Sequence, residues 1–155
     1  MATIQSTQRI AQVAAGADFN DRINDKRTIE GAVQFAFIDV PIATDNVATN
    51  AIDLIELPLG AIVYPELSRF HVLSDPTDGV LTGDIGDSGD VDRYSDGANL
   101  AAVGAVEFLA PAIPDGFTNR HQVTAATRLV KLTLATFTGV KANATVRVVL
   151  AYKSL

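Results

Sequence analysis

Two stretches near the end of the chain, RLVKLTLATF (128–137) and ATVRVVLAY (144–152), alternate apolar and polar side chains. A period of two places Val130, Leu132 and Leu134 on one face of a strand and Lys131 and Thr133 on the other. Val146, Val148, Leu150 and Tyr152 oppose Thr145, Arg147 and Lys153 in the same way. Strands covered on one face only belong to antiparallel sheets, because parallel sheets are buried on both faces and read as continuous apolar runs. The short connection FTGVKAN predicts that these two strands form a hairpin.

Further strands precede them. VQFAFIDV (33–40) sets Val33, Phe35 and Phe37 on one face, and AIDLIEL (51–57) follows. Pro58-Leu59-Gly60 marks a turn into AIVYPELSRFHVL (61–73), where Ile62 and Tyr64 share a face. Pro65 cannot donate a ladder hydrogen bond, so that strand is expected at an edge, bulged or interrupted. VGAVEFLA (103–110) is another strand, and shorter ones are expected near Gly79–Leu81 and His121–Ala125. Seven or eight strands, Gly, Pro, Asp and Asn between them, and no helix beyond residue 33 predict an all-β fold. The expected form is an antiparallel β-sandwich of jelly-roll type.

The 155 residues suit one domain that buries roughly two thirds of its unfolded surface, enough for a core without disulfides; there is no cysteine. Residues 33–155 are read as the sandwich and residues 1–32 as an irregular N-terminal arm, broken by Asp18, Asn20, Asp21, Asn24 and Asp25. A helix over Thr7–Ala15 would be two turns long and marginal alone. The arm is expected either to order against a neighbouring subunit or to pack loosely on its own domain. No apolar run approaches the roughly 20 residues of a membrane span, and MATIQSTQRIAQ lacks the order of a secretory signal, so a soluble, unprocessed chain is expected.

The net charge of -6 is local. Seven of fourteen aspartates, against Arg93 alone, lie in SDPTDGVLTGDIGDSGDVDRYSDG (74–97), and the rest of the chain sums to zero. No basic cluster exists to neutralise phosphates, which argues against a nucleic-acid partner. Calcium needs six to eight oxygen ligands, but Asp84, Asp87, Asp90 and Asp92 do not have the EF-hand spacing, nor a calcium-binding nonapeptide repeat. The simpler expectation is a surface loop of consecutive tight turns, with Gly83, Gly86, Gly89 and Gly97 supplying positive φ and aspartates bonding the backbone. Arg93 would tie it to one carboxylate, and Tyr94 would lay its ring on the domain and keep its hydroxyl wet.

Catalytic patterns are weak. His71 and His121 are the only histidines; Ser68 and Ser74 flank His71, without a nucleophile-elbow context. Glu56 or Glu66 with an aspartate offers a carboxylate pair of no diagnostic value amid so many acids. Two histidines are too few for a cupin-type metal site, and no Walker loop, dinucleotide fingerprint or zinc spacing occurs. The chain is therefore not expected to be an enzyme, and no residue is assigned as catalytic, cofactor-binding or metal-ligating.

LPLGAIVYPELSRFHV, then DIGDSGDVDRYSDG, an alternating strand and the C-terminal VRVVLAY resemble small structural proteins of tailed-bacteriophage virions over residues 50–152. Leu57, Pro58 and Gly60 match at the turn, and Gly86, Asp87, Gly89, Asp90, Asp92, Arg93 and Tyr94 match at the loop; the first 32 residues are outside the motif. The resemblance implies a capsid cement or decoration protein on the outer surface of the head that binds the major capsid protein and bridges its subunits. Its alternative is a head-fibre or tail-associated module that binds a host receptor or carbohydrate. The small or apolar outward residues Thr133, Thr145, Val149 and Ala151 suggest self-association through strands 128–137 and 144–152, as a trimer first and a dimer second.

Overall fold

The computed structural model describes residues 4–5, 33–42, 50–75, 77–108, 122–139 and 144–154. They contain ten strands: β1 (Ile4–Gln5), β2 (Gln34–Ile42), β3 (Ala51–Glu56), β4 (Ile62–Val63), β5 (Arg69–Val72), β6 (Leu81–Gly86), β7 (Ser95–Asn99), β8 (Gly104–Glu107), β9 (Leu129–Phe137) and β10 (Ala144–Lys153). One sheet has the order β1-β3-β9-β6-β7; the other is β2-β10-β5-β8, with β4 also on β10. Only β1 on β3 is parallel among the described pairs. The fold is thus the expected all-β sandwich. The expected helix at residues 7–15 lies outside the described residues, as does the arm apart from β1.

The pairing follows one rule. Apart from β1 and β4, the chain joins first to last: β2 with β10, β3 with β9, β5 with β8, and β6 with β7. Nested pairs of this kind form one long hairpin that rolls up so that alternate pairs fall in opposite sheets, which is the jelly roll. Its consequence corrects one expectation. Strands 128–137 and 144–152 are not a hairpin, because β9 lies between β3 and β6 while β10 lies in the other sheet between β2 and β5. Their short connection changes sheets instead of reversing within one.

The core lies between the two inner faces. Val130, Leu132 and Leu134 of β9 meet Val146, Val148 and Leu150 of β10 in one buried cluster with Ile38, Val40, Ile52, Leu54, Phe70 and Ile85. Phe70 stacks on Phe108 with ring centroids 4.7 Å apart and planes tilted by 43°. In β2 the inward set is Ala36, Ile38, Val40 and Ile42. Val33, Phe35 and Phe37 do share a face, and it is the outward one.

Pro65 interrupts its strand as expected. A 3₁₀ turn, Pro65–Leu67, separates β4 from β5, and both of these still pair with β10. At the break the Ser68 hydroxyl accepts from the Ala151 amide at 2.9 Å and donates to the Tyr64 carbonyl at 2.8 Å, so the amide facing the interruption stays paired. Pro58 accepts from the Ala61 amide at 3.2 Å, which closes the expected turn. The expected strand near residue 121 is reduced to a bridge between Gln122 and Ile62.

Val149 and Ala151 are buried, although they point away from the core. Their cross-strand neighbours on β2 are Phe37 and Phe35. These rings and the 3₁₀ turn cover the positions, so they do not form the small, open face on which self-association through β9 and β10 was expected.

Candidate functional site

The central pair of the roll, β6 with β7, is its only sequential hairpin among the described residues, and the aspartate-rich stretch is that hairpin. This corrects the surface-loop expectation. Leu81, Gly83, Asp84, Ile85, Gly86 and Asp87 are buried on one strand and its exit, and Tyr94 and Ser95 on the return. The chain reverses over residues 87–94, and the aspartates of the hairpin serve two different purposes, some turned inward and some left at the surface.

Asp87 is the centre of the reversal. Its carboxylate accepts from Arg93 Nε at 2.7 Å, from the Gly89 amide at 2.8 Å, from the Asp90 amide at 3.2 Å and from the Tyr94 hydroxyl at 3.3 Å. The Asp87 side chain is 0% exposed and Arg93 24%, so the ion pair is shielded on its acidic side. Arg93 therefore ties the turn as expected. Tyr94 does not keep its hydroxyl wet: it is 2% exposed, and burial followed by the Asp87 charge raises its pKa strongly. Asp84 accepts from the Gly97 amide at 2.7 Å. Gly97 alone of the four glycines takes positive φ, at 67°. Gly86 is required for space: a Cβ there would stand 2.1 Å from the Asp90 carbonyl oxygen.

With Asp84 and Asp87 turned inward, the acidic residues do not converge. Among the described residues no group of three or more His, Asp or Glu is placed to hold a metal ion. Asp92 shares a hydrogen bond with Asp90, and this, then burial and then the Asp90 charge, pushes its pKa up to about 6. Burial likewise raises Asp84. A carboxyl that holds its proton more tightly when folded binds more protons than the unfolded chain between its ordinary value near 3.8 and about 6, so stability falls as pH rises through that window. Asp39 has the opposite sign, because the hydrogen bond from Arg147 holds it below the usual range and its contribution is lost on acidification below that range. Thermal denaturation is expected to give a higher Tm near pH 5 than at pH 7. Asp92→Asn should remove most of that rise, which is worth less than about 1 kcal/mol at so exposed a site.

Three of the catalytic candidates, Ser68, Ser74 and Glu56, are engaged in structural contacts. Ser68 bridges the strand break, and Ser74 Oγ accepts from the Thr145 amide at 2.9 Å. His71 sits on the outer sheet face between Arg147 and Ala105. Glu56 pairs with Arg128 at 3.3 Å. His121 lies outside the described residues.

The second sheet presents a patterned outer face. One cross-strand row reads Phe37, Val149, Arg69, Glu107, and the next reads Asp39, Arg147, His71, Ala105. Asp39 and Arg147 are joined bidentately at 2.6 and 2.9 Å. Phe37 is 59% exposed, Phe35 49% and Leu67 48%. Between them lies an open cleft of about 450 Å³, floored by Val149 and rimmed by Glu66, Arg69 and Glu107. Sequence reasoning missed this surface. Its signal was parity: Asp39 and Pro41 share a face with Phe35 and Phe37, and a charge within the strand marks that face as the outward one.

No family model matches the sequence, and no curated protein matches it. Solved structures do share the fold. A chain in the capsid of Ralstonia phage GP4 superposes with a TM-score of 0.66 at 23% identity, over 99% of this chain and 99% of that one. A chain of the Cyanophage Pam1 capsid asymmetric unit superposes with a TM-score of 0.63 at 21% identity, over 82% of this chain and 88% of that one. The likeness is one of fold, and the fold is one that phage capsids contain.

Proposed function

We propose that this chain is a phage virion structural protein, and more narrowly a capsid cement or decoration protein that binds the outside of the head and braces adjacent major-capsid subunits. The observation that carries the proposal is the end-to-end correspondence with a chain of a phage capsid, 99% of both chains. A small domain embedded in a larger unrelated protein would leave much of one chain uncovered.

The physical character of the molecule supports the same reading. A jelly roll whose turn is locked by a buried ion pair is a stiff brace, and stiffness limits the ordering cost of docking. Binding across a seam that exists only after assembly stabilises the assembled shell by mass action. Several modest contacts act together once the first has formed. Asp90, Asp92 and Asp96 remain partly exposed at the hairpin, where they offer a basic patch on the shell an electrostatic approach more than tight affinity.

Particles assembled without the protein are expected to release their genome at a lower temperature than complete particles, and adding the purified chain back should restore the difference. Its copies should be distributed over the head in large number. A few copies at a single vertex, with no effect on heat resistance, would instead assign the chain to a fibre or tail module that binds a host surface.

A further inference from the structure

Asp–Gly occurs three times in the chain, as Asp78-Gly79, Asp96-Gly97 and Asp115-Gly116. Such a pair is chemically special, because a glycine has no Cβ to hinder its amide nitrogen from closing on the preceding carboxyl carbon. Closure gives a cyclic imide, which reopens mainly as isoaspartate, with the backbone running through the former side chain. A fold suppresses this reaction when it fixes the backbone of the pair and leaves the amide nothing to give its proton to. The third pair lies outside the described residues, and the other two meet opposite surroundings.

Asp78-Gly79 is locked. The Asp78 amide donates to the Gly139 carbonyl at 2.9 Å, and the Gly79 amide donates to the Thr77 hydroxyl at 2.9 Å. Thr138 closes the open side of Gly79, 2.6 Å from where a Cβ would stand. Asp96-Gly97 instead lies in a β-bulge. Gly83 pairs with Ala98 and Ile85 with Ser95, so Asp84 alone faces both Asp96 and Gly97. Across the bulge the Gly97 amide donates to Asp84 Oδ1 at 2.7 Å. Gly97 is exposed, with φ of 67° and nothing within 4 Å of its open side. Burial raises the proton affinity of Asp84, and the charge of Asp96 adds to the rise, so the two carboxyl groups are neighbours at one amide.

We infer that Asp96-Gly97 is a site of spontaneous isomerisation in the folded chain, with Asp84 as the base that takes the Gly97 amide proton. The attacking lone pair of an amide nitrogen stands perpendicular to its N–H bond, so the hydrogen bond to Asp84 leaves the nitrogen open to the Asp96 carboxyl carbon. As the bond from nitrogen to Asp96 Cγ forms, Asp84 accepts the amide proton. It then gives that proton to the hydroxyl of the Asp96 carboxyl group, which leaves as water, and Asp84 is again a carboxylate. Water reopens the imide at the Asp96 main-chain carbonyl and breaks the bond from that carbon to the Gly97 nitrogen. One water leaves and one returns, so the mass is unchanged.

The product has one more methylene in the backbone between Ser95 and Ala98. Ala98 is 0% exposed and pairs with Gly83, and Asn99 pairs with Thr82, so the longer backbone cannot keep both pairs and the Ser95 pair in register. Ageing therefore loosens β7 from β6, the strand that carries Asp84 and leads into the turn held by Asp87. The inference does not depend on the capsid reading, since it concerns the covalent chemistry of the free chain.

The purified full chain, stored in warm neutral buffer, is expected to gain isoaspartate at Asp96 and not at Asp78, read by enzymatic methylation of isoaspartyl groups and by peptide mapping. In concentrated urea the two sites should react at similar rates, and Asp96 should react more slowly there than in the folded chain. Asp84→Asn should slow the reaction at Asp96 at least about tenfold, the low end of what a positioned base contributes being larger still. Gly97→Ala should slow it as well, because the methyl crowds ring closure. Amide exchange across β6 and β7 shows whether Asp84→Asn keeps the hairpin; if it does not, the comparison of the parent chain in and out of urea decides alone. No isoaspartate at Asp96 would overturn the inference, as would equal reaction at Asp78 in the folded chain or a rate at Asp96 that rises in urea. A folded Asp84→Asn that reacts as fast as the parent would overturn it too.

Discussion

Asp87→Ala is expected to cost about 3–5 kcal/mol of unfolding free energy, the range for removing one partner of a buried ion pair. The loss has several sources in one residue. Arg93 loses its carboxylate, the buried Tyr94 hydroxyl loses its acceptor, and the amides of Gly89 and Asp90 lose theirs. Asp87→Asn keeps the shape and an acceptor oxygen for the amides but not the charge, so it should cost about half as much. Urea denaturation of both variants, with Arg93→Ala and the double substitution, completes a cycle that isolates the pair. A change below about 1 kcal/mol for Asp87→Ala would mean that the turn is held by its backbone alone.

Gly86→Ala is the second large effect, expected at about 2–4 kcal/mol. Its added methyl would stand 2.1 Å from the Asp90 carbonyl oxygen and 2.3 Å from the Val91 carbonyl carbon. Both are backbone atoms of the reversal that Asp87 holds, so relief requires the turn itself to move. Gly97→Ala is the control within the same hairpin. It meets nothing within 4 Å and pays only for φ of 67°, about 1 kcal/mol. If thermal unfolding ranks the two variants in the reverse order, the close approach at Gly86 is not a structural constraint.

These two positions also show what was legible in the sequence and what was not. The class of fold was readable because Val130, Leu132, Leu134 and their counterparts on the last strand alternate cleanly, and a period of two is a local property. Pro65 was readable for the same reason, since the missing amide acts where it stands. Pairing is not local. FTGVKAN is as short as a hairpin connection, yet β9 and β10 belong to different sheets because β3 and β6 flank the first and β2 and β5 the second. The acidic stretch was misjudged by its composition. Asp84 and Asp87 look like solvent residues until the partners that bury them, Gly97, Arg93 and Tyr94, are brought across the hairpin. Phe35 and Phe37 were rightly read as sharing a face, but which way that face points was left open, although the parity shared with Asp39 marks it as the outward one.

The first-to-last pairing sets the order of events when the chain is made. β6 and β7 have each other within reach as soon as both leave the ribosome, whereas β2 must wait for β10, the last strand to emerge. Until then Phe35 and Phe37 belong to a nascent strand whose one described neighbour is not yet in place, and a stop codon placed before Ala144 would leave that strand permanently without its companion.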